Sequence, residues 1–152
     1  KIIDEARYVV GFSASALEAR GGEEALAGWI RDFLGKEEAV VIRDVKGIKR
    51  KIDARAGVLG VELGHERAVA RLHEAGIVGR VHAVDVAFRL DPAGSVRLLE
   101  FVEALTGDRS FPYVAVRSEL LGKGTSALDL LAHRRVPQPR VETHLAEIVP
   151  FI

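Results

Sequence analysis

Apolar and polar positions alternate in some stretches of this chain and recur every three or four residues in others, so candidate strands separate from candidate helices. Residues 8–14, YVVGFSA, alternate apolar and small side chains and stop before RGGEE, which predicts a first strand. Leu26, Trp29, Ile30, Phe33 and Leu34 then fall at helical spacing, with Glu23 and Glu24 in the first turn and Gly35 at the end. The segments AVVIRDV and IKRKIDA flank Lys46-Gly47, where glycine supplies the positive φ of a tight turn; together they predict a β-hairpin.

Further along, GHERAVARLHEAG predicts a short helix with Val69 and Leu72 inward. Residues 80–91 have period two: His82, Val84, Val86, Phe88 and Leu90 form an apolar face against Val81, Ala83, Asp85, Ala87 and Arg89. That is a strand. Leu98, Leu99, Val102 and Leu105 form a helical stripe, with Ser95 as the expected cap and Gly107 as the stop, and YVAVRSELL is a last strand. The order is β, α, β-β, a variable insert, β, α, β, which predicts an α+β fold: a ferredoxin-like antiparallel sheet with two helices on one face. Residues 1–122 are expected to form this domain. Residues 123–152 form a C-terminal extension with short helices, bent at Pro137 and Pro139, in which Val141, Leu145, Ile148 and Val149 trace a small amphipathic helix.

Several of these strings carry a resemblance. ARYVV, DFLGKEEAVVIRDVKGIKRKID, and SVRLLEFVEALTG followed by YVAVRSELL resemble the C-terminal half of the radical SAM-linked family, bacterial domains of unknown function encoded beside or fused to a radical SAM protein. The similarity runs over about residues 6 to 121, and the family's N-terminal half, with its Asn-Pro-containing segment, has no counterpart here. The resemblance implies a companion module to a radical enzyme, with a radical SAM protein or domain as partner. It implies no cofactor in this chain, the iron–sulfur cluster and S-adenosylmethionine belonging to that partner or fused domain. It assigns no catalytic residue.

Composition narrows the classes. The 152 residues carry 22 basic and 22 acidic side chains, so anion recognition has to come from a local patch. The chain has no Cys, which removes disulfides, thiolate metal sites and a Cys nucleophile. No apolar run reaches the length of a membrane span and the N-terminus lacks the pattern of a secretory signal, so a cytoplasmic protein without membrane partners is expected. Met is absent even at position 1, the pattern of a piece processed or excised from something longer.

The usual chemistries find little support. His65 and His73 lie eight residues apart, roughly 12 Å along a helix and too far to share a metal, and His82, His133 and His144 add no ligand spacing, so no metal site is expected. The serines lack a nucleophile elbow. Glu23-Glu24 complement a helix dipole, Glu37-Glu38 lie in a connection, and Asp85 reads as an exposed strand residue. GKGTS at 122–126 lacks the spacing of a phosphate-binding loop and reads as a joint.

The hairpin remains. Five of the eleven residues 43–53 are Lys or Arg. With a two-residue turn, Val45 opposes Ile48, Asp44 opposes Lys49, Arg43 opposes Arg50, Ile42 opposes Lys51 and Val41 opposes Ile52. Arg43 and Arg50 then face each other on the apolar side, a costly arrangement unless an acceptor or an anion lies between them. Arg43, Lys46, Lys49, Arg50, Lys51 and Arg55 are the candidate anion- or RNA-binding residues, although aromatics for base stacking are missing nearby. The expected function is a non-catalytic accessory or interaction module that binds RNA or another anionic macromolecule. The alternatives are a catalytic domain acting on nucleic acid or a phosphorylated small molecule, and a structural domain for oligomerisation.

Overall fold

Alternation along β1 (Ile3–Ser13) sends Tyr8, Val10 and Phe12 to one side of a sheet and Val9 to the other, and apolar layers cover both. In the computed structural model, residues 3–92, 94–122, 125–126 and 141–143 are described. After β1 come α1 (Ala14–Glu18), α2 (Gly22–Gly35), β2 (Val40–Val45), β3 (Ile48–Asp53), α3 (Ala54–Gly57), β4 (Val58–Leu63) and α4 (Glu66–Glu74). They are followed by β5 (Val81–Arg89), α5 (Leu98–Thr106), β6 (Tyr113–Gly122), β7 (Thr125–Ser126) and β8 (Val141–Thr143).

The main sheet has the order β4-β5-β1-β6, with every neighbouring pair antiparallel and both β7 and β8 pairing with β6. The fold is thus mixed α and β around an antiparallel sheet, with five helices among the described residues. Leu26, Ile30 and Phe33 of α2 and Leu98, Phe101, Val102 and Leu105 of α5 cover the face carrying Val10, Phe12, Val84, Val86 and Phe88. Phe101 is the hub. Its ring meets Phe33 of α2 and Phe88 of β5 edge to face, with centroids 5.7 and 5.6 Å apart.

Five features differ from the sequence expectation. The hairpin β2–β3 is not part of the main sheet but a separate two-stranded sheet. The strand beside β5 is β4, inside the segment expected to be a variable insert; Gly60 interrupts its apolar pattern and the pairing slips between Val58 and Gly60. The two-helix layer is on one face as expected, but α4 covers part of the other face, burying Ala68 and Leu72 against Val9, Ala83, Val114 and Val116. Its approach is very close at Gly64, where a Cβ would come within 2.7 Å of the Ala68 Cβ.

Finally, Ser95 does not cap α5. Its hydroxyl accepts from the Asp91 amide at 3.0 Å, while the free amide of Arg97 donates to the Glu100 carboxylate at 2.9 Å. Gly107, with φ at 76°, ends the helix as expected. The helix expected from residue 141 onward begins instead as strand β8, and its remainder lies outside the described residues, as do most of 123–140. No helix among the described residues is long and apolar enough to cross a membrane.

Candidate functional site

The hairpin has the register its turn implies. Val41 pairs with Ile52, Ile42 with Lys51, Arg43 with Arg50, Asp44 with Lys49 and Val45 with Ile48. Lys46 and Gly47 both have positive φ, 52° and 83°, and the Asp44 carboxylate accepts from the Gly47 amide at 2.9 Å, which closes the turn.

The base of this arm is fixed to the body. Val41 is buried, and the Ala54 amide just after β3 donates to the Ala39 carbonyl before β2 at 2.8 Å. Asp53 accepts from the amides of Ala39 and Arg55, both at 3.0 Å. Arg109 donates to the Ile42 carbonyl at 2.6 Å while its Nε holds Glu103 of α5 at 2.7 Å.

Arg43 supplies the strongest tether. Its Nε and Nη2 grip the Glu100 carboxylate at 2.7 and 2.5 Å, and Nη2 also donates to the Ser95 carbonyl at 2.9 Å. The two side chains are only 10% and 4% exposed. Burial works against the charge on Glu100, but hydrogen bonds from Arg43 and the Arg97 amide outweigh it and hold the carboxyl below its ordinary range. The same hydrogen bond raises the Arg43 guanidinium against the opposing effect of burial.

The opposed arginines are therefore resolved by an acceptor from α5. Arg43 turns in to Glu100, and Arg50 is left on the outer surface, exposed.

The six candidate cations divide accordingly. Arg43 is committed to Glu100. Arg55 is half-buried, donating to the carbonyls of Val58 and Leu34 with its guanidinium 5.8 Å from the Phe33 ring centroid. Lys46, Lys49, Arg50 and Lys51 are exposed, and none forms a side-chain hydrogen bond or ion pair among the described residues. A cavity of about 250 Å³ opens where β3 meets the loop before α5, and it brings Arg50 and Lys51 together with Arg89, a cation the sequence left in the polar half of β5. Val45 and Ile48, at the tip, are 42% and 68% exposed, so the free charges flank an apolar end.

A second concave surface lies on the opposite face of the main sheet, beside α4. This cleft measures about 700 Å³. Its floor includes Gly60, Asp85 and Ala87, and its wall includes His65, Arg67 and Arg71. Burial and the neighbouring charge of Glu62 raise the Asp85 carboxyl above its ordinary value, with Arg71, His65 and Arg7 acting in the other direction. Asp85, read from the sequence as an ordinary exposed strand residue, is thus partly buried in the lining of the cleft. The signal was its company: Ala83 and Ala87 on either side are too small to wall it off, and only the position of α4 turns that gap into a cleft.

The histidines stay apart. His65 stands at the start of α4, His73 near its end bonds the Ile77 carbonyl through Nδ1 at 2.8 Å, and His82 is on β5. Among the described residues no three His, Asp or Glu side chains gather as metal ligands. No protein-family model, curated protein or solved structure matches the chain.

Proposed function

We propose that this chain is a non-catalytic interaction module whose anchored hairpin grips an anionic polymer, with RNA as the probe of choice. The observation that carries this reading is the division of labour in β2–β3. Arg43 and Asp53 fix the base, while Lys46, Lys49, Arg50 and Lys51 stand exposed with no anion of their own among the described residues. Cations free of intramolecular partners give up no ion pair when they meet phosphates, and each neutralised phosphate releases a condensed counterion. Arg89 adds a further cation at the base, where Asp53 and Asp91 line the same cavity. Few aromatic rings lie near the arm, so contact with the backbone rather than stacking on bases is expected, and sequence preference should be weak.

The strand order β4-β5-β1-β6 with α2 and α5 together on one face supports a ferredoxin-like core, modified by the inserted hairpin and by α4. The resemblance to radical SAM-linked domains supports a place beside a radical enzyme in the cytoplasm, with the arm presenting the polymer to that partner.

The test is binding of a fluorescent single-stranded RNA across a salt series. With about four phosphates neutralised, the logarithm of affinity should fall against the logarithm of salt with a slope near −3. Lys49→Glu, Arg50→Glu and Lys51→Glu together should abolish binding with the denaturation midpoint unchanged, because all three side chains are exposed. Absence of salt-dependent binding at low ionic strength, or binding indifferent to these three changes, would overturn the proposal.

A further inference from the structure

The cleft over Asp85 sits on the other face of the sheet from α2 and α5, and its charges are arranged differently. Asp85 of β5 lies directly across from Glu62 of β4, so two carboxylates are neighbours on the floor, and Arg7, His65 and Glu119 line the same cleft. Like charges in direct cross-strand opposition repel unless a cation or a proton relieves them. Arg67 and Arg71, four residues apart on the same side of α4, stand on the wall.

Opposite charges therefore line one space, yet Asp85, Glu62, Arg67 and Arg71 form no ion pair with one another or with any described residue. A group carrying both charges satisfies both sets at once. Its cationic end answers the two carboxylates and its anionic end the two guanidinium groups, which favour planar carboxylates in bidentate geometry. At about 700 Å³ the cleft is within the size range of small-molecule sites, and Gly60 and Ala87 leave the floor low enough for a side chain to lie on.

We propose that this cleft binds a small zwitterion of the α-amino-acid type, its ammonium group between Asp85 and Glu62 and its carboxylate on Arg67 and Arg71. The site is independent of the hairpin, so a hairpin that binds no RNA leaves it untouched.

The experiment is amide chemical-shift titration of the intact chain with L-leucine, L-glutamine and L-lysine, each beside its decarboxylated amine and its deaminated acid. At least one amino acid should give saturable shifts around Glu62, Arg67, Arg71 and Asp85. Its two single-charge analogues should bind at least tenfold more weakly. Asp85→Asn and Arg71→Gln should each reduce the affinity about tenfold, the loss of one charge-assisted contact. No saturation with any of the three amino acids would overturn the proposal. An amine or an acid that binds as well as its parent would also overturn it, since only one end of the cleft would then be in use.

Discussion

Removing one partner of the Arg43–Glu100 pair should cost far more than a surface ion pair would. In Arg43→Met, Glu100 remains 3% exposed and keeps the Arg97 amide, but loses both guanidinium donors. A buried carboxylate left in that state typically costs about 3–5 kcal/mol, against about 5–15 kcal/mol for the stability of a whole domain. Glu100→Met should be comparably harmful, because Arg43 keeps only the Ser95 carbonyl. The double variant Arg43→Met/Glu100→Met removes both charges and should be less destabilised than either single variant, since two apolar side chains can share the space. Urea denaturation of the four proteins gives the coupling energy, and hydrogen exchange of the β2 and β3 amides shows whether the arm detaches before the body unfolds. The wild-type pair should also weaken in acid. The folded-state carboxyl of Glu100 titrates below its unfolded value, so its contribution is complete above that unfolded value, about 4.3, and disappears as pH falls through the depressed folded one. Single-variant losses below about 1 kcal/mol with unchanged hairpin exchange would refute this reasoning and place the pair with solvent-screened surface bridges.

Three other outcomes are expected. Asp85→Asn should stabilise the protein at neutral pH: the folded-state carboxyl titrates above its unfolded value, so ionisation costs stability as pH rises from about 3.9 through the raised value, and thermal midpoints of variant and wild type should converge below that window. Gly64→Ala should destabilise by about 1–3 kcal/mol by denaturation, because the new methyl meets the Cβ of Ala68 and, at 3.0 Å, that of Ala83, neither of which can swing aside. Phe101→Ala should cost about 3–5 kcal/mol, since the ring is fully buried and joins α2, α5 and β5.

What could be read from the sequence depended on whether the signal was local. The register of β2–β3 followed from Lys46-Gly47 alone, and the stripe of α5 from its own spacing. The partner of Arg43 was not legible, because Glu100 is 57 residues away and meets the hairpin only once α5 has packed on the sheet. The sequence posed the problem of two facing arginines; the answer lay in another element. Strand β4 was lost for a related reason, since pairing with β5 and burial of Val58 and Val61 make VLGVEL a strand despite Gly60. Asp85 was visible as an interruption of an apolar strand. What it faces is decided by where α4 comes to rest.

The bond from Arg43 to Glu100 also has a mechanical meaning. A load applied at the hairpin tip does not travel along hydrogen bonds into the main sheet, because β2 and β3 do not pair with it. Beside the covalent path from β3 through α3 into β4, it passes through Arg43 to Glu100 and through Arg109 to Glu103, two points one turn apart on α5. The arm and α5 thus behave as one lever, and a partner that pulls on the tip pulls on the helix whose Phe101 holds the core together.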